Sequence, residues 1–151
     1  MLRTDAPLTT STTPEETFEI GRSLGSRLAA GDAVLLTGGL GAGKTLFTKG
    51  IVDAIGFDIA EVTSPSFTLV NLYRADTLDV YHLDLWRIDA GSDVRFAVGL
   101  DEIAQQENAV IIIEWAERLG EFPFRGSVFR VMIEGDGEQA REITIHEEKP
   151  A

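Results

Sequence analysis

Residues 33–45 read Ala33-Val34-Leu35-Leu36-Thr37-Gly38-Gly39-Leu40-Gly41-Ala42-Gly43-Lys44-Thr45. The first five form a short apolar run of the kind that fills a strand buried on both faces. The last eight fit G-x-x-x-x-G-K-S/T without a mismatch, and Lys44 to Ile55 reads as a helix that stops at Gly56. A strand feeding a glycine-rich turn that opens a helix predicts an α/β fold. Glycines take positive φ and carry no Cβ, so successive backbone N–H groups can curl around an anion at the positive end of the helix. On this pattern Gly38, Gly39, Leu40, Gly41, Ala42 and Gly43 cradle phosphate, and Lys44 places a positive charge on the terminal phosphates. The Thr45 hydroxyl takes the position that usually ligates Mg²⁺.

Working outward, Thr13-Pro14-Glu15-Glu16 is a helix start, with Thr13 as N-cap, Pro14 at the first helical position and Glu16 completing a capping box. Phe18, Gly21, Leu24 and Leu28 follow at helical spacing, and Gly31 is placed to cap the end. Residues 1–12 are small and polar and are expected to be a flexible tail. Downstream, Phe67 to Arg74 (FTLVNLYR) and Leu78 to Leu85 (LDVYHLDL) predict an antiparallel hairpin. Its second strand would put Val80, His82 and Asp84 on one face, and Tyr81, Leu83 and Leu85 toward the core. A short helix is expected around Leu100 to Gln106. Ala109 to Ile113 (AVIII) is the most β-branched run in the chain and predicts a central strand ending at Glu114. Val128 to Ile133 and Glu142 to His146 flank Gly135-Asp136-Gly137 as a closing hairpin, and residues 147–151 are expected to fray. The predicted architecture is a single P-loop NTPase domain over residues 13–146. It has a mixed central sheet flanked by helices, with the antiparallel hairpin lying between the loop helix and the Glu114 strand.

The 151 residues suit one domain with one core. There is no cysteine, which excludes a disulfide framework and zinc-thiolate chemistry and fits a reducing cytoplasmic setting. No apolar run approaches the twenty or so residues needed to span a bilayer, and nothing at the N-terminus resembles a signal peptide. The formal net charge is −12, and Lys44 is one of only three lysines. Such a surface disfavours strong direct binding to a phosphate backbone and favours a protein partner with a basic face.

An apolar strand ending in an acid supplies the second half of a phosphate-loop hydrolytic site, because the carboxylate holds the Mg²⁺ shell or polarises the attacking water. Glu114 fits this role, and Asp84 at the end of the hairpin strand is a second candidate. Ser64, Ser66 and Thr68 could offer hydroxyls to a γ-phosphate or Mg²⁺, although a turn capped by its own serines is the commoner meaning of such a segment. His82, between apolar neighbours, reads as a structural histidine. Trp115, next to Glu114, reads as a core or rim aromatic that could also cover the site.

Five blocks together carry a resemblance. GGLGAGKT at Gly38–Thr45, SPSFTLVNLY at Ser64–Tyr73, HLDLWR at His82–Arg87, GLDE at Gly99–Glu102 and IIIEWAERL at Ile111–Leu119 run in the order found in the bacterial TsaE (YjeE) family. These are the ATPases of tRNA threonylcarbamoyladenosine biosynthesis. The resemblance implies a cytoplasmic, Mg²⁺-dependent ATPase that works with TsaB and TsaD proteins in modifying ANN-decoding tRNAs, without itself performing the transfer. By position it implies that Lys44 binds phosphate, that Thr45 and Glu114 hold Mg²⁺, that Asp84 is a further essential acid and that Trp115 adjoins the site. The chain departs from the usual pattern at Leu46, where a second threonine is common, at Gly39, where aspartate is frequent, and in the wording of SPSF and HLDLWR. Two other readings of the residues stay open. One is a small-molecule kinase, for which no arginine-rich lid is evident; the other is a binding module gated by nucleotide without required hydrolysis. No N-K-x-D guanine-reading element is present, and the sequence leaves ATP and GTP undistinguished.

Overall fold

The computed structural model describes residues 8–39, 41–63, 68–88 and 93–150. In chain order its elements are β1 (Leu8–Ser11), α1 (Pro14–Gly25), β2 (Ala33–Thr37), α2 (Lys44–Ile55), β3 (Val70–Arg74), β4 (Asp79–Asp84), α3 (Val94–Val98), α4 (Leu100–Ala104), β5 (Ala109–Glu114), β6 (Val128–Glu134) and β7 (Arg141–Glu148). Single 3₁₀ turns lie at Ile59–Glu61 and Ala116–Arg118. The strands form one sheet in the order β1-β7-β6-β2-β5-β4-β3. β6, β2, β5 and β4 are mutually parallel. The β3–β4 and β6–β7 hairpins and the β1–β7 pair are antiparallel. The mixed sheet and the hairpin before the Glu114 strand are therefore as the sequence predicts.

β2 and β5 sit in the middle with helices on both faces, which is why AVLLT and AVIIIE are apolar without alternation. On one face Val34, Leu36, Val110 and Ile112 pack with Phe47 and Ile51 of α2 and Leu24 of α1. On the other, Leu35, Ile111 and Ile113 pack with Val94, Val98 and Leu100 of the two short helices. β4 contributes to both layers, Val80 to the first and Leu83 to the second, and His82 is wholly buried. The expectation that only the Tyr81–Leu83–Leu85 face of β4 meets a core is thereby corrected.

α1 and α2 pack backbone against backbone. A Cβ on Gly21 would strike the Phe47 carbonyl oxygen, one on Gly25 that of Ile51, and one on Gly50 that of Phe18. The capping reading of α1 holds at Thr13, whose hydroxyl accepts from the Glu16 amide at 3.1 Å. The return half of the box is displaced by one residue, since the Glu16 carboxylate takes the Thr12 amide at 2.6 Å. α1 ends at Gly25 and not near Gly31. Ser26 turns its hydroxyl back to the Ser23 carbonyl, and Gly31, at φ +94°, serves a later turn.

Two stretches expected to belong to a tail and a frayed end, residues 8–11 and 147–148, lie in strands. Leu8–Ser11 pairs with β7, from Leu8 opposite Thr144 to Ser11 opposite Arg141. The Ser11 hydroxyl is tied to Thr17 Oγ1 at 2.7 Å and donates to the Thr13 carbonyl. A polar, Thr-containing segment needs no apolar payload to serve as an edge strand, because backbone pairing suffices. β7 runs on through Glu148, where the expected fraying is opposed by Glu147 accepting from Arg27 and Glu148 from Arg130. Residues 1–7 of the expected tail lie outside the described residues.

Candidate functional site

β2, β4 and β5 end level with one another. The register sets Leu36 beside Glu114 and Asp84 beside Glu114, so the loop after Thr37 and both acids share the carboxyl edge of the parallel strands. That edge is where open α/β sheets bind ligands. Odd and even residues of β5 point to opposite layers; Val110 and Ile112 face α2, and pleating puts Glu114 on their side. Asp84 shares a face with Val80 in the same way.

The glycines of the loop are used for conformation. Gly38, at φ +144°, lies so close to the end of β6 that a Cβ would collide with the Ile133 carbonyl oxygen, and Gly43, at φ +106°, delivers the chain into α2. α2 has no side-chain cap and no acid in its first turn, unlike α1. Its first amides and partial positive charge are thus left to an anion. Leu40 lies outside the described residues, as do Ser64 and Ser66.

Lys44 is 6% exposed. Its ammonium donates to the carbonyls of Gly38 at 2.7 Å and Gly39 at 2.8 Å and lies 4.2 Å from the centroid of the Trp115 ring. Burial lowers its pKa below the ordinary lysine value, while Glu114, Glu117 and Asp84 act in the opposite direction. The lysine is therefore within electrostatic reach of both candidate acids. Trp115 reaches over it because the residue leaves β5 in the left-handed region at φ +58°, and its ring packs on Trp86 at 4.4 Å between centroids.

Glu114 and Asp84 are both buried, and each is held. Glu114 Oε2 lies 2.6 Å from His82 Nε2, and Asp84 Oδ1 accepts from the Trp86 amide at 2.9 Å. His82 Nδ1 lies 3.0 Å from the Tyr73 hydroxyl. Among the described residues no cluster of three or more His, Cys, Asp or Glu could enclose a metal ion. One or two carboxylates and a hydroxyl beside a phosphate cradle do suit Mg²⁺, which keeps much of its water and takes further oxygens from phosphate. The residues that could hold it are Thr45, in the first turn of α2, with Glu114 and Asp84 on the neighbouring strands.

On the other side of the loop a cleft of about 320 Å³ runs between the β1–α1 connection, the start of α2 and the β6–β7 turn, with Thr12, Leu46 and Gln139 among its walls. Arg141 closes it and grips the loop from behind, donating to Ala42 O at 3.0 Å and Gly41 O at 3.2 Å. Sequence reasoning missed Arg141, for which no local signal exists. It also set His82 aside as structural, although its place two residues before Asp84 on the same pleat was a usable sign that both face the site.

Strand, glycine loop, helix and acid-tipped neighbouring strands define a mixed α/β protein with a glycine loop at the carboxyl edge of its sheet. Within that class, the family model described as "Threonylcarbamoyl adenosine biosynthesis protein TsaE" matches residues 11–143, and the chain belongs to this family. The TsaE protein of Bacillus subtilis (strain 168) is 36% identical over 132 residues, spanning 87% of this chain and 80% of its own. That of Treponema pallidum (strain Nichols) is 36% identical over 136 residues, spanning 89% and 96%. The crystal structure of Bacillus subtilis YdiB matches with a TM-score of 0.70 at 30% identity, over 96% of this chain and 87% of that one.

Proposed function

We propose that this protein binds and hydrolyses ATP with Mg²⁺, and that its nucleotide cycle supports a TsaB–TsaD-type complex in forming threonylcarbamoyladenosine on ANN-decoding tRNAs in the cytoplasm. The observation that carries the ATPase reading is the convergence of Lys44, Asp84 and Glu114 at one sheet edge around an uncapped helix N-terminus. The process is suggested by the relatives, which are named for tRNA threonylcarbamoyladenosine biosynthesis. The acidic surface suits action through protein partners, with tRNA touched only indirectly. Among the described residues no helix is long and apolar enough to cross a membrane.

The triphosphate lies in the loop, and the nucleoside end takes the cleft beside Leu46. Lys44 exchanges its loop carbonyls for phosphate oxygens, which are stronger partners for an ammonium. In-line attack of water on the γ-phosphate spreads negative charge over its oxygens, where the loop amides and Lys44 meet it. Glu114 accepts a hydrogen bond from the attacking water and orients it. Bound Mg²⁺ would neutralise the phosphates while held by Thr45 with Glu114 or Asp84.

The test is turnover with purified TsaB and TsaD proteins, following phosphate release and co-elution with and without ATP. Lys44→Ala and Glu114→Ala are expected to stay folded and to lose hydrolysis to near background, a fall of roughly a hundredfold or more. Turnover at the wild-type rate in either variant removes that residue's role, and the lack of ATP-linked co-elution argues against the partnership.

A further inference from the structure

We infer that His82 is a positioning residue for Glu114, presenting the carboxylate in one fixed orientation by holding a single oxygen, Oε2. The inference rests on the reading above that Glu114 serves Mg²⁺ and the attacking water. Three observations carry it. The His82 ring is fully buried, and its Nε2 stands 2.6 Å from Oε2, the separation of a charge-assisted hydrogen bond. β4 and β5 pair in parallel with Asp84 beside Glu114, so His82 approaches Glu114 diagonally from the neighbouring strand and fixes it from one side. The far side of the ring is fixed in turn, since Nδ1 meets the Tyr73 hydroxyl at 3.0 Å.

Among the neutral forms of the ring, counting donors selects one arrangement. The Tyr73 phenol has one proton and two acceptors in reach, His82 Nδ1 and the Thr63 carbonyl, each at 3.0 Å. Asn71 Nδ2 also donates to the Thr63 carbonyl at 3.3 Å, so the phenol proton can go to Nδ1 without stranding that carbonyl. The neutral ring then carries its hydrogen on Nε2, facing the carboxylate. The opposite tautomer would turn a bare nitrogen lone pair on Oε2. In this arrangement Asn71 Nδ2 donates to the Tyr73 oxygen at 3.4 Å, Tyr73 donates to His82 and His82 donates to the Glu114 carboxylate. A histidine that only filled space would need neither the tautomer nor the single-oxygen contact.

The experiment uses the full chain and the variants His82→Gln, His82→Leu and Tyr73→Phe, each checked for folding. With two histidines in the protein, nitrogen-15 NMR of the rings assigns readily. The Nε2–H tautomer is expected for His82, with a mixture in Tyr73→Phe. MgCl₂ is then titrated into protein with a non-hydrolysable ATP analogue. His82→Leu is expected to raise the half-saturating Mg²⁺ concentration about tenfold, leave metal-free nucleotide affinity within about twofold and lower kcat about tenfold at unchanged KM. His82→Gln, whose amide can replace the Nε2–H donor, is expected to recover most of both losses.

An Nδ1–H ring in the wild type overturns the inference. So does a His82→Leu protein with wild-type Mg²⁺ dependence, or a His82→Gln protein as impaired as His82→Leu. If the wild type hydrolyses no ATP with its partners, the ATPase reading falls while the NMR and Mg²⁺ arms still decide the role of His82. If His82→Leu does not fold, His82→Gln and Tyr73→Phe decide it.

Discussion

At the scale of single residues, Lys44 has the environment with the clearest chemical consequence. Burial lowers its pKa from the ordinary 10.5 against the pull of Glu114, Glu117 and Asp84. The folded chain therefore holds this proton less tightly than the unfolded chain. Between the lowered value and 10.5, stability should rise with pH as the buried charge is relinquished. On the proposed role of Lys44, nucleotide affinity should move the opposite way, because the ammonium offered to phosphate is being lost. Calorimetric titration of ADP without metal is expected to show affinity declining at a pH below that of an ordinary lysine. A decline that begins only above 10.5 contradicts this. The placement of Lys44 and Thr45 at the start of α2 was legible in the sequence, because a glycine pattern followed by a helix fixes their surroundings locally. Glu114 was legible as a strand end. The His82 contact was not, since it joins residues 32 apart through a strand pairing that no local pattern reports.

Among the elements, the α1–α2 contact is the most sharply constrained. Gly21 and Gly25 on α1 face Gly50 on α2, and each lies against a backbone carbonyl of the other helix that cannot swing aside. Gly50→Ala is expected to destabilise the fold by about 1–3 kcal/mol or more despite the better helix propensity of alanine, as urea denaturation can measure. A neutral or stabilising outcome would show that the helices can separate at little cost. α2 was readable from end to end because Gly43 and Gly56 punctuate it. α1 was overextended to Gly31, since the apolar spacing continues to Leu28 while the turn set by Ser26 leaves no trace in hydropathy. The hairpin was found, but the double burial of β4 was not. The cover on each face comes from helices elsewhere in the sequence, and a histidine and an aspartate made one face look solvated.

For the whole molecule, the first strand closes the last. β1 adds to β7 at the far edge of the sheet, and the connection from β1 into α1 walls the cleft beside the loop. Removing residues 1–11 is therefore expected to weaken ATP binding about tenfold or more and to lower the melting temperature, as calorimetry and thermal denaturation would show. Unchanged affinity would mean that the nucleoside does not use this cleft. The strand escaped the sequence reading because its partner lies 130 or more residues away and its exposed threonines resemble a tail.

Arg141 gives this closure a consequence in time. Its guanidinium holds the carbonyls of Gly41 and Ala42 from a position about a hundred residues later in the chain. A ribosome that has just finished β6 has already made the entire glycine loop, both acids and His82. It has made neither the clasp on that loop nor the strand that receives Leu8–Ser11. The nascent chain thus carries the motif well before it carries the clasp, and a polypeptide cut short before β7 would present the glycine loop while lacking the support that holds it in shape.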